Sequence, residues 1–156
     1  MSQHSLWGVT RSERLAYAAG LFDGEGCIHI GSHTTANGAT RYKLVVLIAM
    51  TQTAPLLFMQ ELFGGVVKEK TTPANGKKQQ WVWALYSHEA VPFLEAILPM
   101  LLIKDKEAGV ALLFQSTFNK SYKIGGNGGQ VPLPANIVTL RQIAHDECKL
   151  LKKVNE

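Results

Sequence analysis

Two Asn-Gly steps, Asn37-Gly38 and Asn75-Gly76, each separate two short runs rich in apolar and β-branched residues, and each pair of runs follows a segment of helical pattern. Asn-Gly accepts the positive φ that tight turns between twisted strands require, so each step marks a hairpin. Helix-then-hairpin, written twice, leaves few architectures. The expectation is an α+β fold in the order α-β-β-α-β-β-α with two further C-terminal helices. It has a four-stranded antiparallel sheet with helices on one face and the other face open.

Local signals place the elements. Thr10-Arg11-Ser12-Glu13 is a capping-box pattern, with Thr10 as N-cap and Glu13 reaching back. The first helix is expected to reach about Phe22, where Gly24 and Gly26 end it. Strands are expected over 27–32 and 42–50. Thr53 then caps a second helix, with Pro55 in its first turn and Leu56, Met59, Leu62 and Phe63 as its apolar stripe, until Gly64-Gly65 stop it. A second strand pair covers 66–70 and 79–87. Ser87 is expected to cap a third helix over 89–101, a fourth runs from about 104 to 118, and a fifth spans 135–154. The Gly/Pro-rich stretch 123–134 reads as a loop. At 156 residues the chain reads as one domain, with a core over about 11–118 and a helical extension over about 134–154.

Alternation gives the faces of the strands. Leu44, Val46, Ile48 and Met50 share one side of the second strand; Lys43, Val45, Leu47 and Ala49 share the other. Both sides are apolar toward the strand's end, so alternation alone does not choose the core face. Trp81, Trp83 and Leu85 share a side of the fourth strand. We read the tryptophans as core, although aromatics on an open sheet can also stack bases.

Charge is distributed unevenly. The chain carries a net +4, and the segment 26–80 alone carries that excess: Arg41, Lys43, Lys68, Lys70, Lys77 and Lys78 against Glu61 and Glu69. A basic hairpin region suits a polyanion, though a solvated basic surface gives the same count. No window is long and apolar enough to suggest a membrane span. Residues 1–14 lack the apolar stretch of a secretory signal, and Cys27 and Cys148 form no CxxC pair. The expectation is an intracellular, reducing compartment, either cytoplasm or an organelle matrix, with free thiols. Cys27, His29 and His33 do not make a zinc set, because no second ligand pair follows.

The most unusual stretch is Tyr17–Gly26, YAAGLFDGEG. Small residues run into two carboxylates framed by glycines. At helical spacing Ala16, Ala19, Gly20 and Asp23 fall on one stripe, and Leu15, Ala18 and Phe22 on another. A small-residue stripe lets two helix backbones approach closely; it is equally compatible with a helix under a crowded sheet.

Residues Ala18–Gly26 resemble the motif of the LAGLIDADG homing endonucleases: Ala19, Gly20, Leu21, Asp23 and Gly26 match, and Glu25 stands for the second aspartate. Met50-Thr51-Gln52 and the stretch Leu98–Ala108 are also similar to family segments. The motif occurs once, and the resemblance implies a homodimer whose seam holds Ala16, Ala19, Gly20 and Asp23. It implies a site-specific double-strand DNA endonuclease, encoded by an intron, on a long pseudo-palindromic target. Glu25, Gln52 and Lys104 would be catalytic. Glu25 and the Gly24 carbonyl would hold magnesium, with manganese expected to substitute and calcium to support binding without turnover. Asp23 is expected to be structural. DNA contacts would come from His29, Gly31, His33, Arg41, Lys43, Lys68, Lys70, Lys78 and Gln80. The sequence departs from the family pattern at Thr53-Ala54-Pro55, where a basic residue often follows the glutamine; Lys106 is a weak substitute. Val45, Leu47 and Ala49 on the reading face would contact thymine methyls or tolerate sequence variation. Two other functions suit the same fold: an RNA-binding intron maturase, and a DNA-binding protein without cleavage.

Overall fold

A computed structural model describes residues 9–70, 78–118 and 133–154. Its elements are α1 (Arg11–Glu25), β1 (Gly26–Thr34), β2 (Thr40–Met50), α2 (Ala54–Phe63), β3 (Val66–Glu69), β4 (Trp81–Tyr86), α3 (Ala90–Ile97), α4 (Asp105–Ser116) and α5 (Ala135–Val154). The strands form one antiparallel sheet in the order β1-β2-β4-β3, which bears out the α+β expectation.

The first helix begins as its cap dictates. The Thr10 amide donates to Glu13 Oε2 at 2.7 Å, and the Thr10 hydroxyl accepts from the Glu13 amide at 3.2 Å. Its end is a correction: α1 continues three residues past Phe22, through Asp23, Gly24 and Glu25, and stops at Gly26, which is extended. Gly24 is therefore helical, because one glycine weakens a helix without breaking it. The first hairpin turns as expected: Gly38 has φ +82°, and the Thr35 amide donates to the Ala39 carbonyl at 2.8 Å. The second Asn-Gly turn, Lys77 and most of the Gly/Pro-rich stretch lie outside the described residues.

Ser87 does not cap the third helix with its side chain. Ser87–Glu89 is a 3-10 turn in which Ser87 has φ +51°, and α3 starts at Ala90 without a side-chain cap. The helix ends at Ile97 rather than 101: Pro99 has no N–H to donate to the Glu95 carbonyl, and the chain tightens into a second 3-10 turn over Leu98–Met100.

Burial chooses the core face. Ile28, Ile30, Leu44, Val46, Ile48, Trp83 and Leu85 are at most 2% exposed, so the even-numbered side of β1 and β2 faces the helices. Trp83 is core, and Trp81 packs partly buried beside it. Phe93 of α3 is the aromatic hub, with its ring edge-on to Phe22, Phe63 and Trp83 at 5.1, 4.8 and 5.2 Å between centroids. The indole N–H of Trp83 donates to the Gly64 carbonyl at 2.8 Å, which ties the α2–β3 turn to the core. α5 packs along β1, which is an edge strand: the Cys148 thiol lies 3.7 Å from the Ile28 carbonyl, and Tyr42 bonds Gln142. Arg141 of α5 stacks on Phe118 at 3.6 Å and donates to Thr117. Both cysteines are free thiols, and burial pushes the Cys148 thiol up.

Gly65 is required twice over. Its φ is +85°, and a β-carbon there would stand 2.6 Å from the Ala84 carbonyl oxygen. Gly65→Ala is therefore expected to cost at least about 2 kcal/mol, from left-handed strain plus a backbone clash. Equilibrium denaturation measures it; an unchanged midpoint would contradict the packing of this turn against β4.

Candidate active site and nucleic-acid interface

The last turn of α1 carries the motif carboxylates, and they do different things. Asp23 turns inward to the Leu101–Lys104 segment. Its carboxylate accepts from the amides of Leu102 at 2.7 Å, Ile103 at 3.3 Å and Lys104 at 3.1 Å. Three successive N–H groups aimed at one anion form a nest, and the bonds are charge-assisted. The Lys104 ammonium returns the contact by donating to the Asp23 carbonyl. α1 has no basic residue in its own last turn, so Lys104 supplies the positive charge that a helix C-terminus favours. The structural role expected for Asp23 is thus a double clamp between the end of α1 and the start of α4.

Glu25 ends α1 exposed, and no described residue bonds its carboxylate. Gly24 is exposed too, in the last turn, where helix carbonyls lack intrahelical partners. Gly26 pairs with Ile48, and Met50 with Trp81. The α1–β1 junction and the β2–α2 connection, where Gln52 stands exposed, therefore share one end of the sheet. Lys104 is half-buried, while Lys106 is exposed on the first turn of α4.

The expected seam residues divide. Ala16 and Gly20 are exposed, Asp23 is half-buried in its clamp, and Ala19 is 1% exposed within the chain's own core. The outward stripe of small residues is Ala16, Gly20 and Gly24, one turn apart. A β-carbon at Gly20 or Gly24 would meet nothing within 4 Å, so the chain's own packing does not require glycine at either position.

Strand register collects the expected contact residues on the open face. Paired residues share a side of the sheet: His29 with Val45, Gly31 with Lys43, His33 with Arg41, Val45 with Tyr86 and Lys68 with Val82. Lys70 lies just past β3, but its amide donates to the Gln80 carbonyl and its ammonium reaches Gln80 Oε1 at 3.3 Å. Lys78 is exposed two residues before Gln80.

Two further side chains stand at this face. Tyr86 lies on this face with the Lys43 ammonium 4.5 Å from its ring centroid. Lys152 of α5 brings its ammonium 3.3 Å from Cys27 Sγ, at the β1 edge. The tertiary docking of α5 places Lys152 there, so no local signal in the sequence finds it. Burial, and then the charges of Lys152, His145 and Lys149, hold His29 below the ordinary imidazole range. A neutral imidazole offers one donor and one acceptor.

No protein-family model matches the chain, and no curated protein is similar to it in sequence. Solved structures are similar in fold. The homing endonuclease I-CvuI in complex with its target, with calcium present, superimposes with a TM-score of 0.69 at 19% identity, over 88% of this chain and 81% of that one. The archaeal intron-encoded homing endonuclease I-Vdi141I, complexed with DNA, gives 0.72 at 15% identity, over 91% and 86%. The LAGLIDADG homing endonuclease I-GzeII, in complex with a DNA target, gives 0.63 at 14% identity, over 84% of this chain but 43% of that one. The fold implied by the motif resemblance is the fold of these proteins.

Asparagine at position 23 would keep the shape but replace one acceptor oxygen with an NH2 donor facing a backbone N–H. Asp23→Asn is expected to lower stability by about 1–3 kcal/mol. Amide exchange at Leu102–Lys104 should accelerate while α3 stays protected. Unchanged exchange at those amides would show that the segment is held by other contacts.

Proposed function

We propose that this chain, which has the LAGLIDADG homing-endonuclease fold, is a site-specific double-strand DNA endonuclease that works as a homodimer with a divalent cation. One observation carries the reading: the Asp23 clamp brings Lys104 to the helix end that also presents Glu25, at one end of an open, basic sheet face.

The donor set fits magnesium. Glu25 offers an exposed carboxylate, and Gly24 a carbonyl at a helix end. Magnesium is a hard cation that keeps several waters and takes one or two protein ligands, so such a pair is enough. Glu25 is one methylene longer than aspartate, so its carboxylate stands farther from the helix. When bound, such a cation supplies a Lewis acid and an activated water for in-line attack on the phosphodiester. The chain's own residues do the rest. The Lys104 ammonium, fixed by the Asp23 carbonyl, faces charge that develops on the phosphoryl oxygens. The Gln52 amide can orient water by donating and accepting at once.

The dimer rests on the outward stripe. Glycine in a helix interior costs about 1 kcal/mol relative to alanine, and nothing in the chain itself requires Gly20 or Gly24. Close approach of a second α1 explains both. The match to 43% of the I-GzeII chain supports a unit that works in pairs.

Glu25→Gln keeps size and removes the charge that holds the cation. Single-turnover cleavage of a supercoiled target plasmid should fall at least about 10³-fold, with target binding retained. Lys104→Met should slow it roughly 10²–10³-fold, as for loss of one transition-state donor. Near wild-type cleavage by Glu25→Gln would overturn this site and favour a maturase or a non-cleaving regulator.

Gly20→Leu has room in the chain itself, so it should fold but sediment as a monomer and lose double-strand cleavage. A wild-type monomer that cuts both strands would overturn the dimer.

A further inference from the structure

The paired residues of the open face form rows across the sheet. Nearest the Glu25 end stand Ala49, Val82 and Lys68. The next row, Cys27–Leu47–Ala84–Val66, is apolar on all four strands. His29, Val45 and Tyr86 follow, and then the polar pairs Gly31–Lys43 and His33–Arg41. Helices cover the opposite face, whereas Val66 is 49% exposed and Val45, Leu47, Ala49 and Val82 are half-buried. An uncovered apolar strip of this extent marks an interaction surface.

Charge identifies what meets it. No strand residue on this face is acidic. The Lys152 ammonium lies against Cys27 at the β1 edge, and Lys68 is exposed at the β3 edge. Three strand spacings separate those edges by about 14 Å, close to the ~12 Å width of a DNA major groove. Cations at both edges match the two phosphate backbones that border such a groove. Between them the strip offers base edges no donor or acceptor, and the apolar group that a major groove presents is the thymine methyl.

We propose that Leu47 and Val66 of this row, with Cys27 and the neighbours Val45, Ala49 and Val82, select thymine methyl groups over Ala84, which is only 2% exposed and forms the floor between them, while Lys152 and Lys68 hold the flanking phosphates. This rests on the endonuclease reading and adds its base preference. Rows two residues apart are about 6.8 Å apart, or roughly two base pairs. The two rows nearest Glu25 therefore cover about four base pairs, on the cleavage-site side of each half-site. Hydrogen-bonded readout begins at the row of His29 and Tyr86 and belongs to the rows beyond it.

The test selects bound duplexes from a random-sequence library with the full chain, at fixed salt, and then replaces thymine by deoxyuridine along the selected half-site. Inner positions should be enriched in A·T pairs. Each inner uracil should weaken binding roughly fourfold, the equivalent of one buried methyl, and outer uracils should not. Leu47→Ser should abolish part of the inner uracil penalty and leave the outer preference intact. Enriched sites whose affinity ignores inner uracil would overturn the methyl reading and leave the endonuclease reading standing. Failure to enrich or bind any duplex would overturn both.

Discussion

The contact between Asp23 and the Leu101–Lys104 segment holds the site together. It is reciprocal: the carboxylate at the end of α1 satisfies three amides that lead into α4, and the lysine at the start of α4 satisfies a carbonyl at the end of α1. Each helix terminus is thus stabilised by the other, across about eighty residues of sequence. Neither could be relieved locally. α1 lacks a basic residue in its last turn, and α4 has no side-chain cap at Lys104. Orphan polar groups at helix ends need partners, and here the partners position a cation beside the motif. The same bonds that stabilise the fold therefore set where the Lys104 ammonium stands.

The sheet's one-sided burial follows from strands whose core side is apolar and whose other side changes character along its length. Toward the hairpin tip it is charged and polar; toward Glu25 it is apolar. A face left open by the helices keeps its solvent-facing groups available. α5 covers β1, which blunts an edge strand open to stray pairing and brings Lys152 to the edge of the open face. Protection of an edge and extension of the basic rim come from one helix.

Local signals made most of the fold legible. The Thr10–Glu13 capping box, the Asn37-Gly38 turn, the Gly64-Gly65 stop and the bounds of α5 are where residue chemistry puts them. The departures are physical. α1 outlasts its glycines because the Asp23 clamp stabilises the final turn more than Gly24 weakens it. α3 breaks early because Pro99 has no N–H to continue the helical ladder. Ala19 belongs to the core rather than to the outward stripe, because positions three and four apart on a helix are 100° out of register with each other, and only packing shows which one faces inward. At the site, the residue types of Glu25, Gln52 and Lys104 were readable from the motif resemblance. The clamp that unites Asp23 with Lys104 was not, since it joins positions with no shared periodicity. Lys152 is not legible either, because the docking of α5 places it, whereas Tyr86 falls on the open face by alternation with Val82 and Ala84.

The two acids of the motif illustrate why neighbouring carboxylates need not share a role. On a helix, adjacent side chains diverge by 100°; two residues apart they diverge by 200°, onto opposite sides. Asp23 and Glu25 therefore cannot both face the α4 segment. The one that does is saturated by three N–H donors and has little left to give a cation. The one that does not is exposed and unbonded among the described residues. A longer side chain is tolerated at position 25, because nothing packs around it, and would not be at position 23, where the nest is sized for aspartate. Replacing the second aspartate of the motif by glutamate is thus the change that the geometry permits, and it leaves one extended, exposed carboxylate at the end of α1, where β1 begins.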